Sequence, residues 1–175
     1  MMRDTRQSAE GMTAVAQEQN RQRMQTQDDI SSVAADEIPH LVAVWEASAR
    51  ATHHFLTEAD FQFFKPLVGD ELAQLQTLLC VRDAAGQAVG FIGVEGDEVE
   101  SLFIHPDWRG QGIGRRLLTY AIETLGATRL DVNEQNDEAI GFYRRMGFVV
   151  DGRSEDDGLG RPFPILHMRL SETAR

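Results

Sequence analysis

Apolar and polar residues are distributed unevenly along the chain, and their patterns predict where its elements lie. Residues 1–29 include the stretch QEQNRQRMQTQDD, which has almost no apolar side chains to bury, so they are predicted to form a disordered tail. Residues 30–33 are a short candidate strand. From Asp36, a suitable helix N-cap, apolar residues recur at helical spacing to about Thr52 and predict the first helix.

The next segment contains both helix-starting and helix-breaking residues. Thr57 and Asp60 have the spacing of a capping box, so a second helix is predicted to begin there. Pro66 and Gly69 then predict an interruption before a further helical piece around Leu72.

Runs of apolar and β-branched residues follow, separated by turn residues and by two helical patterns. Strands followed by alternating helices and strands predict an α/β sheet of mixed order, in a single domain over residues 30–175. The predicted strands of this part are Thr77–Arg82, Ala88–Glu95, Val99–Ile104, Arg129–Val132 and Ile165–Leu170.

Composition excludes several classes of protein. The 175 residues carry 17 basic and 28 acidic side chains, a net charge of −11, which argues against nucleic-acid binding. No apolar run approaches the roughly 20 residues of a membrane span, and the first residues lack an apolar signal core. A single cysteine, Cys80, excludes an internal disulfide and a cysteine-built zinc site. We therefore expect a cytoplasmic protein with no metal, nucleic-acid or membrane partner.

A glycine-rich loop between a strand and a helix is the most informative stretch. Gly110, Gly112 and Gly114 alternate just before a helix whose apolar stripe starts at Ile113. Glycines let backbone N–H groups approach a ligand closely, and a helix N-terminus favours negative charge. The loop therefore predicts a site for a phosphate or pyrophosphate.

Two common nucleotide loops do not match this stretch. A P-loop has Lys and then Ser or Thr after its last glycine, whereas Arg115 and Arg116 follow Gly114. A dinucleotide fingerprint starting at Gly110 or Gly112 would lack its third glycine.

The remaining pattern, Arg109-x-x-Gly112-x-Gly114, resembles the pyrophosphate loop of the GCN5-related N-acetyltransferases, the GNAT family, which bind acetyl-CoA. The resemblance spans about residues 30–170 and implies a mixed, mostly antiparallel central sheet, flanked by helices and splayed near the acetyl-CoA site. The other segments that resemble the family are Ile104-x-Pro106 upstream and Leu130-x-Val132-x-x-x-Asn136-x-x-Ala139-x-x-Phe142-Tyr143-x-x-x-Gly147-Phe148 downstream.

The resemblance also implies which residues bind the coenzyme. Asn136 is implied to contact pantetheine and also suits the N-cap of the following helix. The residues implied to bind pantetheine through their backbone are Leu102, Phe103 and Ile104. Those implied to bind the diphosphate are Arg109, Gly110, Gln111, Gly112, Ile113, Gly114 and Arg115.

Tyr143 is implied to be the general acid. It lies seven residues after Asn136, two helical turns along, so both point to one face. A phenol with a pKa near ~10 is able to protonate a departing thiolate whose thiol has a pKa near ~8.5. A buried ring with a satisfied hydroxyl is the alternative interpretation.

The base that deprotonates the acceptor is open between several residues. Glu98 and Glu100 alternate along one side of a strand, and Glu98 matches a position where some family members carry the base. A solvated strand face would explain them equally well. His53 and His54 end the first helix near the expected acceptor wall and are further candidates. Two roles, lining an acceptor pocket and packing in the core, are open for four phenylalanines: Phe55, Phe61, Phe63 and Phe64.

We expect an enzyme that transfers an acetyl group from acetyl-CoA directly to a primary amine of a small molecule or peptide, as a monomer or homodimer. Two alternatives stay open: a CoA-binding regulatory or interaction module without turnover, and a protein acetyltransferase acting on an N-terminus or a lysine. Tyr143 and the candidate bases favour an enzyme, because a binding module needs neither.

Overall fold

A seven-stranded sheet forms the centre of the protein in the computed structural model, which describes residues 29–172. The sheet order is β1-β2-β3-β4-β5-β7-β6, and all neighbours are antiparallel except β4 and β5. The mixed, mostly antiparallel sheet is thereby confirmed, while the tail predicted over residues 1–29 lies, apart from Asp29, outside the described residues. The strands are β1 (Ile30–Ser32), β2 (Thr77–Arg82), β3 (Ala88–Glu95), β4 (Glu98–Ile104), β5 (Arg129–Asn133), β6 (Phe148–Ser154) and β7 (Ile165–Leu170).

Helices cover both faces of the sheet. Short 3-10 turns at Ala35–Glu37 and Pro106–Trp108 precede α1 and the glycine loop. On one face, Leu41 and Phe61 pack around the fully buried Cys80, and burial raises the pKa of its thiol. The residues that build the core on the other face include Leu117, Leu118, Ile140, Leu130 and Met168. The helices are α1 (Ile38–Thr52), α2 (Glu58–Gln74), α3 (Ile113–Glu123) and α4 (Asp137–Arg145).

The first helix begins later than predicted. Residues 35–37 form the 3-10 turn and α1 begins at Ile38, so the prediction that Asp36 caps this helix was wrong. The carboxylate of Glu37 pairs with Arg82 on β2, which holds the turn against the sheet edge.

The second helix is continuous, so the predicted interruption was wrong. The capping box is confirmed, because Thr57 accepts the N–H of Asp60 at 3.3 Å and the Asp60 carboxylate accepts that of Thr57 at 2.8 Å. Beyond it, Pro66 is exposed, so water can satisfy the carbonyl that its missing N–H leaves free. At Gly69 a Cβ would lie 3.5 Å from Val42 of α1, an ordinary van der Waals distance, so the packing of the two helices does not itself require glycine there.

Strand β6 was not predicted. Phe148 is its only buried residue, and Val149 and Val150 are exposed on this edge of the sheet. Its residues therefore lack the alternation that marks a half-buried strand, and its pairing with β7 depends on a partner distant in sequence.

Strands β4 and β5 separate soon after they meet. They pair only through Glu98 with Arg129 and Val99 with Leu130. A bulge on β4 at Glu100 then shifts its register against β3 by one residue. The sheet is therefore open beside Leu102–Ile104, which confirms the predicted splay.

Candidate active site

A cavity of about 370 Å³ opens where β4 and β5 separate. Its walls come from the end of α1, the end of β4, the glycine loop with the start of α3, and α4. All the predicted coenzyme-binding residues except Gln111 line it, namely residues 102–104, 109–110, 112–115, Asn136 and Tyr143. The motifs found in sequence therefore converge on one space.

The glycine loop owes its shape to two residues with positive φ. Gly110 has φ 73° and Gly112, which caps α3, has φ 78°, a region that other residues rarely adopt. A Cβ on either would meet nothing within 4 Å, so it is conformation and not space that requires glycine. No side chain caps α3 and its first turn contains no acidic residue, so the N–H groups there are available to an anion.

Arg109 connects the loop to two helices across the cavity. Its Nη1 lies 3.2 Å from Oε1 of Glu138 on α4, and its Nη2 donates to Oγ of Ser48 on α1 at 3.3 Å. Arg115 also lines the cavity. These guanidinium groups and the helix N-terminus suit a diphosphate.

Asn136 is the N-cap of α4, as predicted. It is buried, and its Oδ1 accepts the N–H of Ala139 at 3.2 Å. Its side-chain NH₂ donates to no residue within 29–172 and lies at the cavity wall, where a ligand carbonyl would satisfy it.

Tyr143 is held by aromatic contacts and not through its hydroxyl. Its ring centroid lies 5.3 Å from that of Phe142 and 6.2 Å from that of Phe148, while its hydroxyl bonds to none of the described residues. Burial raises the pKa of Tyr143 well above its ordinary value, so the hydroxyl stays protonated at neutral pH. Tyr143 therefore lines the cavity with its hydroxyl protonated.

The two predicted glutamates do not line this cavity. Glu98 lies 3.5 Å from Arg129, and Glu100 is an exposed residue of the bulge, directly after the last β4–β5 pair. Partial burial of its carboxylate raises the pKa of Glu100, and the nearby charges of Glu98 and of Glu71 on α2 act in the same direction. Both glutamates lie next to the point where β4 and β5 separate.

His53 lines the cavity, whereas its neighbour His54 is exposed. The Thr52 hydroxyl donates to the Ser48 carbonyl at 2.9 Å and lies 2.8 Å from Nδ1 of His53. This arrangement assigns the ring proton to Nδ1 and leaves Nε2 as an acceptor. Burial lowers the pKa of His53 to about 4, and the charge of Arg109 contributes, so the imidazole is neutral at pH 7.

Several wall residues were not found in the sequence. Ser48, Thr52 and Glu138 line the cavity, and the spacing of four residues between Ser48 and Thr52 was the only local signal that they share a helix face. Within residues 29–172, no His, Cys, Asp and Glu side chains are grouped to hold a metal ion. In the same part of the chain, none of the helices is both long and apolar enough to cross a bilayer.

Comparison with known proteins identifies the family. A model described as "Acetyltransferase (GNAT) domain" matches residues 74–150. The chain is 44% identical over 128 residues to peptidyl-lysine N-acetyltransferase YjaB of Salmonella typhimurium, covering 73% of this chain and 88% of that protein. It is 32% identical over 110 residues to an L-methionine sulfoximine/L-methionine sulfone acetyltransferase of Pseudomonas aeruginosa, covering 54% and 64% of the two chains.

A solved structure agrees with these matches. The solution structure of apo YjaB from Escherichia coli superimposes with a TM-score of 0.74 at 39% identity, covering 80% of this chain and 95% of that one. The chain belongs to the GNAT family of acetyltransferases. It is an acetyl-CoA-dependent N-acetyltransferase.

Proposed function

We propose that this enzyme transfers the acetyl group directly from acetyl-CoA to a primary amine. The observation that carries the proposal is the Tyr143 hydroxyl, which lies at the cavity wall without a partner among residues 29–172. The residue is buried, but its hydroxyl is not among the fully enclosed polar atoms that lack a partner, so it is open to the cavity, where a ligand atom can meet it. The fully buried Cys80 is not part of the cavity wall, which supports direct transfer over an acyl-cysteine route.

The coenzyme would lie along β4 and the glycine loop. The edge of β4 facing β5 has no strand partner after Val99, so backbone groups of Leu102–Ile104 are available to the amides of pantetheine. Residues 109–115 offer backbone donors, and Arg109 and Arg115 offer positive charge, to the diphosphate. Gln111 is exposed on the loop and would contribute only its backbone.

Tyr143 would act as the general acid. As the amine nitrogen bonds to the thioester carbon, the C–S bond breaks and the sulfur needs a proton, which the Tyr143 hydroxyl would donate. Its ring is fixed by Phe142 and Phe148, which supports a defined direction of donation.

Glu100 is the stronger of the two β4 candidates for the base. The carboxylate of Glu98 lies 3.5 Å from Arg129, whereas the carboxylate of Glu100 forms no hydrogen bond or ion pair within residues 29–172. Its raised pKa brings it nearer to the range in which a carboxylate accepts a proton from an amine. His53 is the second candidate, because the residue lines the cavity itself and its Nδ1 contact with Thr52 leaves Nε2 as an acceptor.

The acceptor that the comparisons favour is the side-chain amine of a peptidyl lysine. The peptidyl-lysine N-acetyltransferase YjaB of Salmonella typhimurium is 44% identical to this chain, which covers 88% of it. A free amino acid is the second candidate, supported by the Pseudomonas aeruginosa relative at 32% identity.

The test is mass spectrometry of acceptors incubated with acetyl-CoA and the enzyme. One arm uses a lysine peptide with a blocked N-terminus, with norleucine in place of lysine as the matched control, and a second uses free amino acids, including methionine sulfoximine. Acetylation of the lysine peptide and not of its control is expected. Acetyl-CoA binding without an acetylated product in either arm would support the binding module and contradict the proposal.

A further inference from the structure

A row of aromatic rings leads from the cavity to the protein surface. Phe103 and His53 line the cavity, with ring centroids 6.5 Å apart. His53 contacts Phe55 at 5.3 Å, Phe55 contacts Phe163 at 5.7 Å, and Phe163 contacts Phe64 at 6.2 Å. We call these five residues the aromatic row.

These rings are partly exposed, unlike the rings at the centre of the core. Every member of the aromatic row is half-buried, whereas Phe91 and Phe148 in the core are 0% and 1% exposed. Half-buried rings in mutual contact present apolar faces to whatever occupies the adjoining space.

Phe163 reaches this row from the connection between β6 and β7, and that connection folds on itself. The Asp157 carboxylate accepts the N–H of Leu159 at 2.9 Å and that of Arg161 at 2.8 Å. The Arg161 carbonyl accepts the N–H of Asp157 at 3.0 Å and that of Phe163 at 2.7 Å. Residues 157–163 are therefore held together by their own hydrogen bonds, and we call them the 157–163 unit.

Arg161 joins this unit to α2. Its guanidinium pairs with Asp60, which is only 6% exposed and whose other oxygen accepts the bonds of the capping box. It also lies 4.5 Å from the ring centroid of Phe63 and 5.3 Å from that of Phe64. A nearly buried carboxylate needs such a partner, so the pair holds the unit against the first turns of the helix.

We propose that Arg161 is a positioning residue for the acetyl acceptor: by holding residues 157–163 against α2, it sets Phe163 as the outer wall of an acceptor channel along the aromatic row. The inference rests on the proposed transfer to an amine. The faces of aromatic rings accept an alkyl stem and attract an ammonium group. The channel therefore suits an amine on an unbranched alkyl chain, and the net charge of −11 favours such a cation.

The test compares Arg161→Gln with a matched control, Arg50→Gln. Arg50 makes the same kinds of contact nearby, pairing with Glu58 in the first turn of α2 and lying 4.3 Å from the ring centroid of Phe61, but it touches neither the unit nor the aromatic row. The measurements are the KM for the lysine peptide, kcat, and the acetyl-CoA Kd by calorimetry.

Arg161→Gln is expected to raise the acceptor KM about tenfold, the effect of losing about 1.4 kcal/mol of binding. The acetyl-CoA Kd and kcat at saturating acceptor stay within about twofold, since a loosened wall weakens acceptor binding without touching the coenzyme. Arg161→Lys is expected to raise the acceptor KM less than Arg161→Gln does, because lysine retains the charge but not the planar fork of arginine. Arg50→Gln changes none of these values.

An unchanged acceptor KM in Arg161→Gln, or an equal weakening of acetyl-CoA binding, would overturn the inference. If Arg161→Gln does not fold, Phe163→Leu decides, because it leaves the Arg161–Asp60 pair intact and is expected to raise the same KM. A wild-type enzyme that binds acetyl-CoA but acetylates no amine overturns the proposed function and this inference together. Wild-type turnover with an unchanged variant KM overturns the inference alone.

Discussion

The cavity wall and the surface beyond it are built in different ways. On the proposed coenzyme side, one continuous stretch, residues 102–115, supplies backbone groups whose directions follow from a separated strand, two positive-φ glycines and a helix N-terminus. On the proposed acceptor side, which continues past the cavity wall, side chains from the end of α1, the start of α2 and the β6–β7 connection meet through ring contacts and one ion pair.

The difference separates what the fold provides from what particular side chains provide. Backbone donors bind a diphosphate whatever the acceptor is. The proposed coenzyme side therefore indicates the class of reaction and not the identity of the acceptor. The rings and Arg161 give the other side its shape, and a change of a few side chains there would alter the acceptor without altering the coenzyme.

The largest expected effect tests whether the chemical step depends on Tyr143 of α4. Tyr143→Phe is expected to lower kcat by about 10²–10³-fold, because the departing sulfur loses its proton donor. The acetyl-CoA Kd should stay within about twofold, since the ring contacts with Phe142 and Phe148 remain. Steady-state kinetics measures kcat, and calorimetry measures the acetyl-CoA Kd. The control is Tyr120→Phe, a change at the other tyrosine of the sequence. Unchanged kcat would remove Tyr143 from the mechanism.

The next prediction asks which side supplies the base. Glu100→Gln is expected to lower kcat/KM about 30-fold. This loss is smaller than the usual effect of removing a general base, because water is expected to take over part of its role. In the wild type, kcat/KM falls as the pH drops through the raised pKa of Glu100, and this acidic limb disappears in the variant.

The control is Glu98→Gln, whose carboxylate is engaged with Arg129, and its pH profile should keep the acidic limb. Loss of the limb in His53→Gln instead of Glu100→Gln would assign the base to the aromatic row and contradict the present assignment.

A smaller effect concerns the neutral imidazole on the acceptor side. His53 has a folded pKa of about 4 against an ordinary 6.5, so below pH 6.5 the unfolded chain takes up a proton that the folded chain resists. The free energy of unfolding therefore falls between pH 6.5 and 4 and then levels. His53→Gln should reduce this fall by about 1–2 kcal/mol, allowing for solvent screening of a half-buried ring.

Urea unfolding between pH 6.5 and 4.5 measures this difference best. Carboxylates such as Glu58, whose pKa is lowered to about 2 by Arg50, lose their stabilisation only as the pH falls below their ordinary value of 4.5. Identical pH slopes in wild type and variant would contradict a buried, neutral His53.

The smallest predicted effect concerns the pair between Arg109 and Glu138 at the cavity wall. Glu138→Gln should lower the acetyl-CoA Kd about threefold, because it releases Arg109 for the diphosphate and removes a negative charge beside it. Glu134→Gln is the matched control, since Glu134 pairs with Arg153 away from the cavity. Weaker binding in Glu138→Gln would mean that the Arg109–Glu138 pair orders the loop for the coenzyme.

The same contrast explains what the sequence could predict. Gly110 and Gly112 encode a local backbone conformation, and the bounds of β2, β3 and β7 follow from local runs, so this information is contiguous. The splay followed from the family resemblance and is seen in the short β4–β5 pairing.

Features that depend on distant partners were not predictable. Arg161 and Asp60 are 101 residues apart, so no local sequence pattern predicts their contact. Tertiary packing also overrode two local signals, because α2 continues through Pro66 and Gly69 in spite of their helix-breaking tendency. Strand β6 exists through its pairing with β7 and not through its own pattern.

The most direct test of the central claim is calorimetric titration of acetyl-CoA into the wild-type protein and into the Arg109→Glu, Gly112→Asp double variant. The substitutions reverse the charge beside the diphosphate and add a carboxylate at the uncapped start of α3. We predict micromolar binding by the wild type and none by an equally folded double variant. Equal affinity in both proteins, or no binding by the folded wild type, would contradict the account.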